Sequence, residues 1–200
     1  MQLWVGLGNP GAGYRRNRHN IGYMAVEAIA AAHGFSEWKS SKLEALVSSG
    51  ELVRLEPRSR QEIILIKPTC FMNQSGLAVA AVMRYYKIPL ASVTVFHDEL
   101  DLAPSRLRVK RGGGAAGHNG LRSLDQYIGA DYRRIRLGIG HPGARELVAP
   151  FVLGNFLPLE QDWLAPLLDS VAKNAAKLLE GDDNVFASAV SQDLAGDRRN

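Results

Sequence analysis

Four polar clusters hold the side chains of this chain that can do chemistry. They are residues 9–20, with Asn9, Tyr14 and His19; Phe71-Met72-Asn73; His97-Asp98-Glu99-Leu100-Asp101; and residues 112–120, with His118 and Asn119. A histidine beside a carboxylate works as a general base, because the carboxylate fixes the imidazole tautomer and stabilises the imidazolium formed when water gives up its proton. His19 with Asp98 is the expected pair. Asn9, Asn73 and Asn119 add uncharged amides, which suit recognition of a carbonyl, an amide or a ribose hydroxyl and whose N–H groups can stabilise an oxyanion. A plainer reading competes for two of them, since Asn73 and Asn119 stand where each can cap a following helix.

Other chemistries fit less well. Gly6-Leu7-Gly8-Asn9-Pro10-Gly11 satisfies G-x-G-x-x-G behind an apolar run, the spacing of a dinucleotide-binding turn. Pro10, however, removes a backbone N–H that such a turn presents to phosphate, and Arg15, Arg16, Arg18 and His19 follow where an apolar helix should start. Glu27, the nearest acidic candidate for a ribose contact, falls in an alanine-rich helical stretch and not at the end of a second strand. A divalent metal on His97, Asp98, Glu99 and Asp101, joined by His19 or His118, would activate water. Adjacent residues of an extended chain point to opposite faces, and no H-E-x-x-H spacing occurs, so no metal and no other cofactor is expected. Neither a G-x-S-x-G elbow nor a phosphate-binding G-x-x-x-x-G-K-[ST] loop is present. The lone Cys70 rules out an internal disulfide, fits a reducing compartment and lies against an apolar strand, an unpromising place for a catalytic thiol.

The elements that must position these groups read as an α/β fold. Strand-like runs occur at 3–6, 43–48, 62–66, 93–96, 106–110 and 134–139. Helical patterns fall at 23–33, stopped by Gly34, at 75–86, and from 119 or 120 through 128. A long helix is expected at 159–180, ended by Gly181, and a short one from Asp183. Alternating strands and helices predict a single-domain three-layer sandwich with a mixed, largely parallel central sheet flanked by helices. Each polar cluster follows a strand, so parallel strands would gather all four at one sheet edge. Residues 140–158, rich in glycine and proline, read as an irregular segment able to act as a lid. One domain is expected over 1–190 and a C-terminal tail over 191–200.

With 200 residues and 46% hydrophobic content the chain can bury one core, and it lacks both a run of about 18 apolar residues and a signal-peptide layout, so a cytoplasmic protein is expected. The net charge of +4 is unevenly spread. Residues 106–145 hold nine basic side chains (Arg106, Arg108, Lys110, Arg111, Arg122, Arg133, Arg134, Arg136 and Arg145) against Asp125 and Asp131, which leaves the rest of the chain net acidic. Segregation of this kind points to a polyanionic partner.

Taken in order, the motifs resemble those of the bacterial-type peptidyl-tRNA hydrolases. They are Val5-Gly6-Leu7-Gly8-Asn9-Pro10-Gly11 with Tyr14 and Arg18-His19-Asn20, Phe71-Met72-Asn73-Gln74-Ser75-Gly76, His97-Asp98-Glu99-Leu100-Asp101-Leu102, Gly117-His118-Asn119-Gly120-Leu121, and Arg136-Leu137-Gly138-Ile139-Gly140-His141-Pro142-Gly143. The resemblance implies a monomeric, cofactor-free enzyme that cleaves the ester between a peptide and tRNA and so recycles tRNA from peptides dropped by stalled ribosomes. It makes His19 the base and Asp98 its orienting partner, and gives Asn9 the task of telling N-blocked peptidyl-tRNA from free aminoacyl-tRNA. Tyr14, Phe71, Asn73 and Asn119 match contacts to the tRNA end or the peptide, and Met72 with His118 lines the same cleft. Lys110, Arg136 and Arg145 match residues that hold tRNA phosphate, with Arg145 at a position often filled by lysine. An RNA-binding module without turnover, a metal-dependent phosphodiesterase and a nicotinamide oxidoreductase are the competing readings, in that order.

Overall fold

The computed structural model describes residues 1–54 and 56–197. Seven strands, β1 (Gln2–Gly6), β2 (Lys39–Ser41), β3 (Ala45–Arg54), β4 (Ser59–Pro68), β5 (Val93–Glu99), β6 (Leu107–Arg111) and β7 (Arg133–Gly138), form one sheet in the order β2-β3-β4-β1-β5-β7-β6. The four central strands β4, β1, β5 and β7 are mutually parallel, whereas β2, β3 and β6 pair antiparallel at the margins. Helix α1 (Ile21–Ala32) follows β1, α2 (Ser75–Tyr86) follows β4 and α3 (Asn119–Ile128) follows β6. A short α4 (Val148–Val152), then α5 (Gln161–Lys173) and α6 (Asp183–Asp197), complete the chain.

The central strands read as unbroken apolar runs because both of their faces are covered. Trp4, Ile63, Leu65 and Phe96 pack towards α1, α5 and α6, while Leu3, Val5, Ile64, Ile66 and Val95 pack towards α2 and α3. This is the expected three-layer sandwich. Connections from β1 and β4 leave on opposite faces, so a crevice opens beyond the carboxyl ends of β4, β1 and β5.

Several expectations need correction. The single strand at 43–48 is a ten-residue β3 paired along its whole length with β4, from Ala45–Pro68 to Arg54–Ser59. Its outer half is polar, so backbone pairing extends it where no apolar pattern could signal a strand. The expected helix over 159–180 ends at Lys173, where the Asn174 side chain donates to the Ser170 carbonyl (3.0 Å) and to Asp193 of α6 (2.8 Å), and a 3₁₀ turn takes over from Ala175. Helix α6 is long, and it runs through residues expected to form a tail because Leu194 extends the buried stripe of Phe186 and Val190; residues 198–200 lie outside the described ones. Segment 140–158 is only partly irregular, since it contains α4 and is tied down by a bridge between Asn17 and Asn155.

Glycines at the β1–α1 contact explain the G-x-G-x-x-G spacing without a nucleotide. A Cβ on Gly6 would lie 2.5 Å from the Gly22 carbonyl oxygen, and one on Gly22 would lie 2.2 Å from the Phe96 oxygen and 2.6 Å from the Leu7 nitrogen. The start of α1 is therefore pressed against the sheet edge, with Tyr23 N–H donating to the Leu7 carbonyl (3.2 Å). Gly11 has φ 105°, which lets the chain turn away after Asn9-Pro10. Gly22→Ala should destabilise the fold by about 2 to 3 kcal/mol, because the obstacles are backbone atoms of two strands that cannot move aside. Urea denaturation would check this against Gly13→Ala, where open space predicts a far smaller change.

Candidate active site

Asp98, at the end of β5, is 4% exposed and accepts from two imidazoles. His19 Nδ1 lies 2.9 Å from both carboxylate oxygens, and His118 Nε2 lies 3.0 Å from Oδ1. Burial pushes the Asp98 carboxyl up, but the two histidines more than offset this and hold it well below the usual carboxylate range. An ionised carboxylate only accepts, so Nδ1 of His19 carries a proton and Nε2 of the neutral ring keeps its lone pair. Burial also opposes charge on His19, yet the Asp98 charge and hydrogen bond prevail and raise its pKa above 6.5.

His19 is set by a 3₁₀ turn, Arg18–Asn20, immediately before α1. Arg18 on one side is buried: its guanidinium pairs with Glu160 (2.6 Å), donates to the Phe151 carbonyl (3.3 Å) and covers the Phe151 ring at 4.5 Å. Asn20 on the other side accepts from the Asn9 N–H and donates to the Asn9 carbonyl, both at 2.9 Å, so it holds the Asn9 backbone as a strand neighbour would. Asn9 Oδ1 accepts the Met72 N–H at 2.8 Å, which orients the amide and leaves its NH₂ for the cleft. The loops after β1 and β4 and the end of β5 are thus locked together by amide and imidazole hydrogen bonds.

His118 is the N-cap of α3. Its Nδ1 accepts from the N–H groups of Gly120 (3.1 Å) and Leu121 (3.3 Å). Asn119 does not cap α3 and Asn73 does not cap α2, whose N-cap is Gln74, so the plainer reading of both asparagines fails. Strand β6 is antiparallel, so Arg111 ends at the opposite sheet edge and the glycine-rich residues 112–118 climb back beside Arg134, which donates to the Gly114 carbonyl at 2.8 Å. The fourth cluster reaches the site by this return and not by strand direction.

These groups line one cleft of about 930 Å³. It brings together Asn9, Tyr14, His19, Phe71, Met72, Asn73, Asp98, His118, Asn119 and Arg145. Phe71 is 55% exposed and meets Tyr14 edge-on, with ring centroids 6.2 Å apart. The opposite wall is Val148, Ala149, Val152 and Leu153 of α4 and its end, apolar residues that the sequence offered only as part of an irregular segment. Arg122, counted among the basic residues, also lines it.

Lys110 and Arg136 lie outside this lining, on β6 and β7, with Lys110 exposed and Arg136 Nε bonded to Glu99 at 2.7 Å. Of the nine basic residues, Arg133 pairs with Asp183 and Arg134 with Asp125, so these two brace the fold internally. His97 is fully buried; its Nδ1 donates to the Asp98 carbonyl at 2.7 Å, and burial pushes its pKa down to about 3, so the ring is neutral and Nε2 has no hydrogen-bond partner among the described residues.

His19, Asp98 and His118 present atoms close enough together for a cation. The tautomer opposes it, because backbone N–H groups occupy the Nδ1 lone pair of neutral His118 and its Nε2 carries the proton. His97 sits on the other face of β5 from Asp98 and does not join them, as strand alternation requires.

A family model described as Peptidyl-tRNA hydrolase matches residues 3–196. A relative of that name from Cereibacter sphaeroides is 55% identical over 191 residues, covering 96% of this chain and 82% of the relative. Another from Bradyrhizobium diazoefficiens is 53% identical over 95% of this chain and 91% of its own length. A crystal structure of peptidyl-tRNA hydrolase from Acinetobacter baumannii superposes with a TM-score of 0.86 at 35% identity, over 95% of this chain and 94% of that one. Sequence and architecture agree over nearly the full length, and the chain belongs to the peptidyl-tRNA hydrolase family as an enzyme of that class.

Proposed function

We propose that the chain cleaves the ester joining a peptide's C-terminal carboxyl to the tRNA ribose, with His19 as general base. The observation that carries this reading is the His19–Asp98 pair, whose geometry leaves His19 Nε2 as the free lone pair. A water bonded to Nε2 attacks the ester carbon and gives its proton to the ring. The tetrahedral oxyanion collapses, the bond to the ribose oxygen breaks, and the imidazolium returns the proton to that oxygen. Asn73, exposed beside the cleft, and the oriented NH₂ of Asn9 are the donors suited to the carbonyl and the oxyanion.

The fixed donor sense of Asn9 also supports selection of N-blocked substrates. A peptide carbonyl accepts from its NH₂, whereas the α-ammonium of a free aminoacyl-tRNA brings only donors against it. Tyr14 and Phe71 offer aromatic faces on which the terminal base of tRNA can stack. Lys110, Arg136 and Arg145 hold phosphate in this reading, with Arg136 steadied by Glu99. The reaction returns tRNA from peptides lost by stalled ribosomes and takes place in the cytoplasm. A monomer suffices, since one chain supplies every side chain invoked, and no described helix is long and apolar enough to cross a membrane.

His19→Ala should lower kcat by about 10²- to 10⁴-fold, measured as release of N-acetyl-aminoacyl groups from tRNA, and full activity in that variant sinks the mechanism. The base works only when neutral, so kcat/KM should rise with pH along a limb centred above 6.5 and then level. In Asp98→Asn the charge that raises the His19 pKa is gone while burial still lowers it, so the residual activity should show its limb below 6.5. Lys110→Ala should weaken tRNA binding and reduce the slope of log affinity against log salt by about one. The same variant should hydrolyse an N-acetyl-aminoacyl ester of adenosine alone at the wild-type rate.

A further inference from the structure

We propose that His118 is a positioning residue for this reaction, held in one tautomer by capping α3 so that its Nε2–H fixes the Asp98 carboxylate against which His19 is oriented. The inference rests on the base role of His19 and changes the place expected for His118, from a residue that touches substrate to one that acts through Asp98.

Both ring nitrogens of His118 are engaged. Nδ1 accepts from Gly120 N–H and Leu121 N–H, two of the donors that a helix start leaves without intrahelical partners. A backbone N–H can only donate, so Nδ1 carries no proton and Nε2–H donates to Asp98 Oδ1 at 3.0 Å. Nothing remains on the ring to hydrogen-bond a substrate. The ring is also walled in: its centroid lies 4.8 Å from that of His19 and 5.2 Å from that of His97, which meets it edge-on. A Cβ at Gly120 would fall 3.0 Å from His118 Cε1 and 2.5 Å from the Met72 sulfur, so the ring packs closely over Gly120, where no side chain could be admitted without displacing it.

The consequence is electrostatic as well as geometric. Oδ1 of Asp98 is shared by the two histidines, and a carboxylate held at both ends of this bridge cannot rotate away from His19. A neutral N–H donor also tempers the negative charge that His19 senses. Without it Asp98 should favour the imidazolium more strongly, and His19 should need a higher pH to become a base. The other ionisable groups facing this cluster are His97 on β5, kept neutral by burial, and Arg134 on β7; Tyr14, Glu99, Asp101, Arg122, His141 and Arg145 also belong to the cleft lining.

The test compares His118→Asn, His118→Ala and His19→Ala on N-acetyl-aminoacyl-tRNA. An Asn oxygen can still cap α3 but is too short to reach Asp98. His118→Asn should keep a thermal midpoint close to wild type, lose about tenfold or more in kcat as orienting partners of catalytic groups do, hold KM within about twofold, and shift the acid limb to higher pH. His118→Ala should show the same kinetic defect and a lower midpoint. Wild-type kcat with an unmoved limb in His118→Asn, while His19→Ala is inactive, overturns the inference and leaves the base assignment standing. So does a raised KM at unchanged kcat, which would mean direct substrate contact. Full activity in His19→Ala removes the base assignment itself. If neither His118 variant folds, ¹⁵N NMR of the wild-type ring decides: the Nε2–H tautomer from pH 6 to 8 supports the inference, and the Nδ1–H tautomer overturns it.

Discussion

A carboxylate buried as deeply as Asp98 costs several kcal/mol to desolvate, and it survives in ionised form only if donors are brought to it. Two imidazoles do so, from opposite faces of the sheet: His19 from the turn ahead of α1, and His118 from the cap of α3. Each requires its helix to start at a fixed point above the strand ends. The β1 and β5 carboxyl ends, the first turns of α1 and α3 and the climb of residues 112–118 are therefore all constrained by one charge. His97 obeys the complementary rule, since burial outweighs the pull of the neighbouring Asp98 charge and it stays neutral.

The approach of α1 to the sheet is what allows the His19 arm of this arrangement. Gly6 and Gly22 remove the side chains that would separate the helix from β1 and β5, and Asn20, one residue before α1, then falls within reach of Asn9 on both its N–H and its carbonyl. Of the glycines that by spacing alone suggest a cofactor, Gly6 is accounted for by contact with the α1 backbone, Gly8 by the Tyr23 ring and Gly11 by its φ of 105°. The rest of the clasp is long-range: Arg18 reaches Glu160, and the Phe156 N–H donates to the Arg16 carbonyl, so the chain flanking His19 is braced by the segment that follows the apolar wall of α4.

Much of this was legible in the sequence where signals are local. Strands buried on two faces announce themselves as apolar runs, and helices α2 and α3 begin where polar motif gives way to apolar periodicity. The cluster rule, that polar residues after parallel strands meet at one edge, located Asn9, Phe71, Met72, Asn73 and Asp98 together. It could not foresee that His118 arrives from an antiparallel strand, because pairing direction at a margin depends on partners distant in the chain. For the same reason the Arg18–Glu160 pair and the break at Asn174, fixed by Asp193 of α6, carry no local signature. The apolar wall of α4 was hidden by Pro150 within it and by the glycines and prolines that flank it. Two arginines of the basic stretch turned inwards because Asp125 and Asp183 meet them, which counting charge cannot reveal.

The alternation of a single strand finally ties the chemistry to the charge. On β5, Phe96 and Asp98 face the side of α1, while Val95, His97 and Glu99 face the side of α2 and α3. Asp98 therefore meets His19 on one face, and Glu99, the next residue, meets Arg136 on the other. Register places Arg136 opposite Arg108, with Lys110 two residues further along the same face of β6. Under the roles proposed for His19, Lys110 and Arg136, the distance from the reacting ester to a phosphate on that face is set by strand geometry and not by a loop. Under those same proposed roles, a substrate whose scissile bond and phosphates are themselves held rigidly apart, as at the base-paired end of a tRNA, satisfies both faces at once, whereas a free peptide ester satisfies only the first.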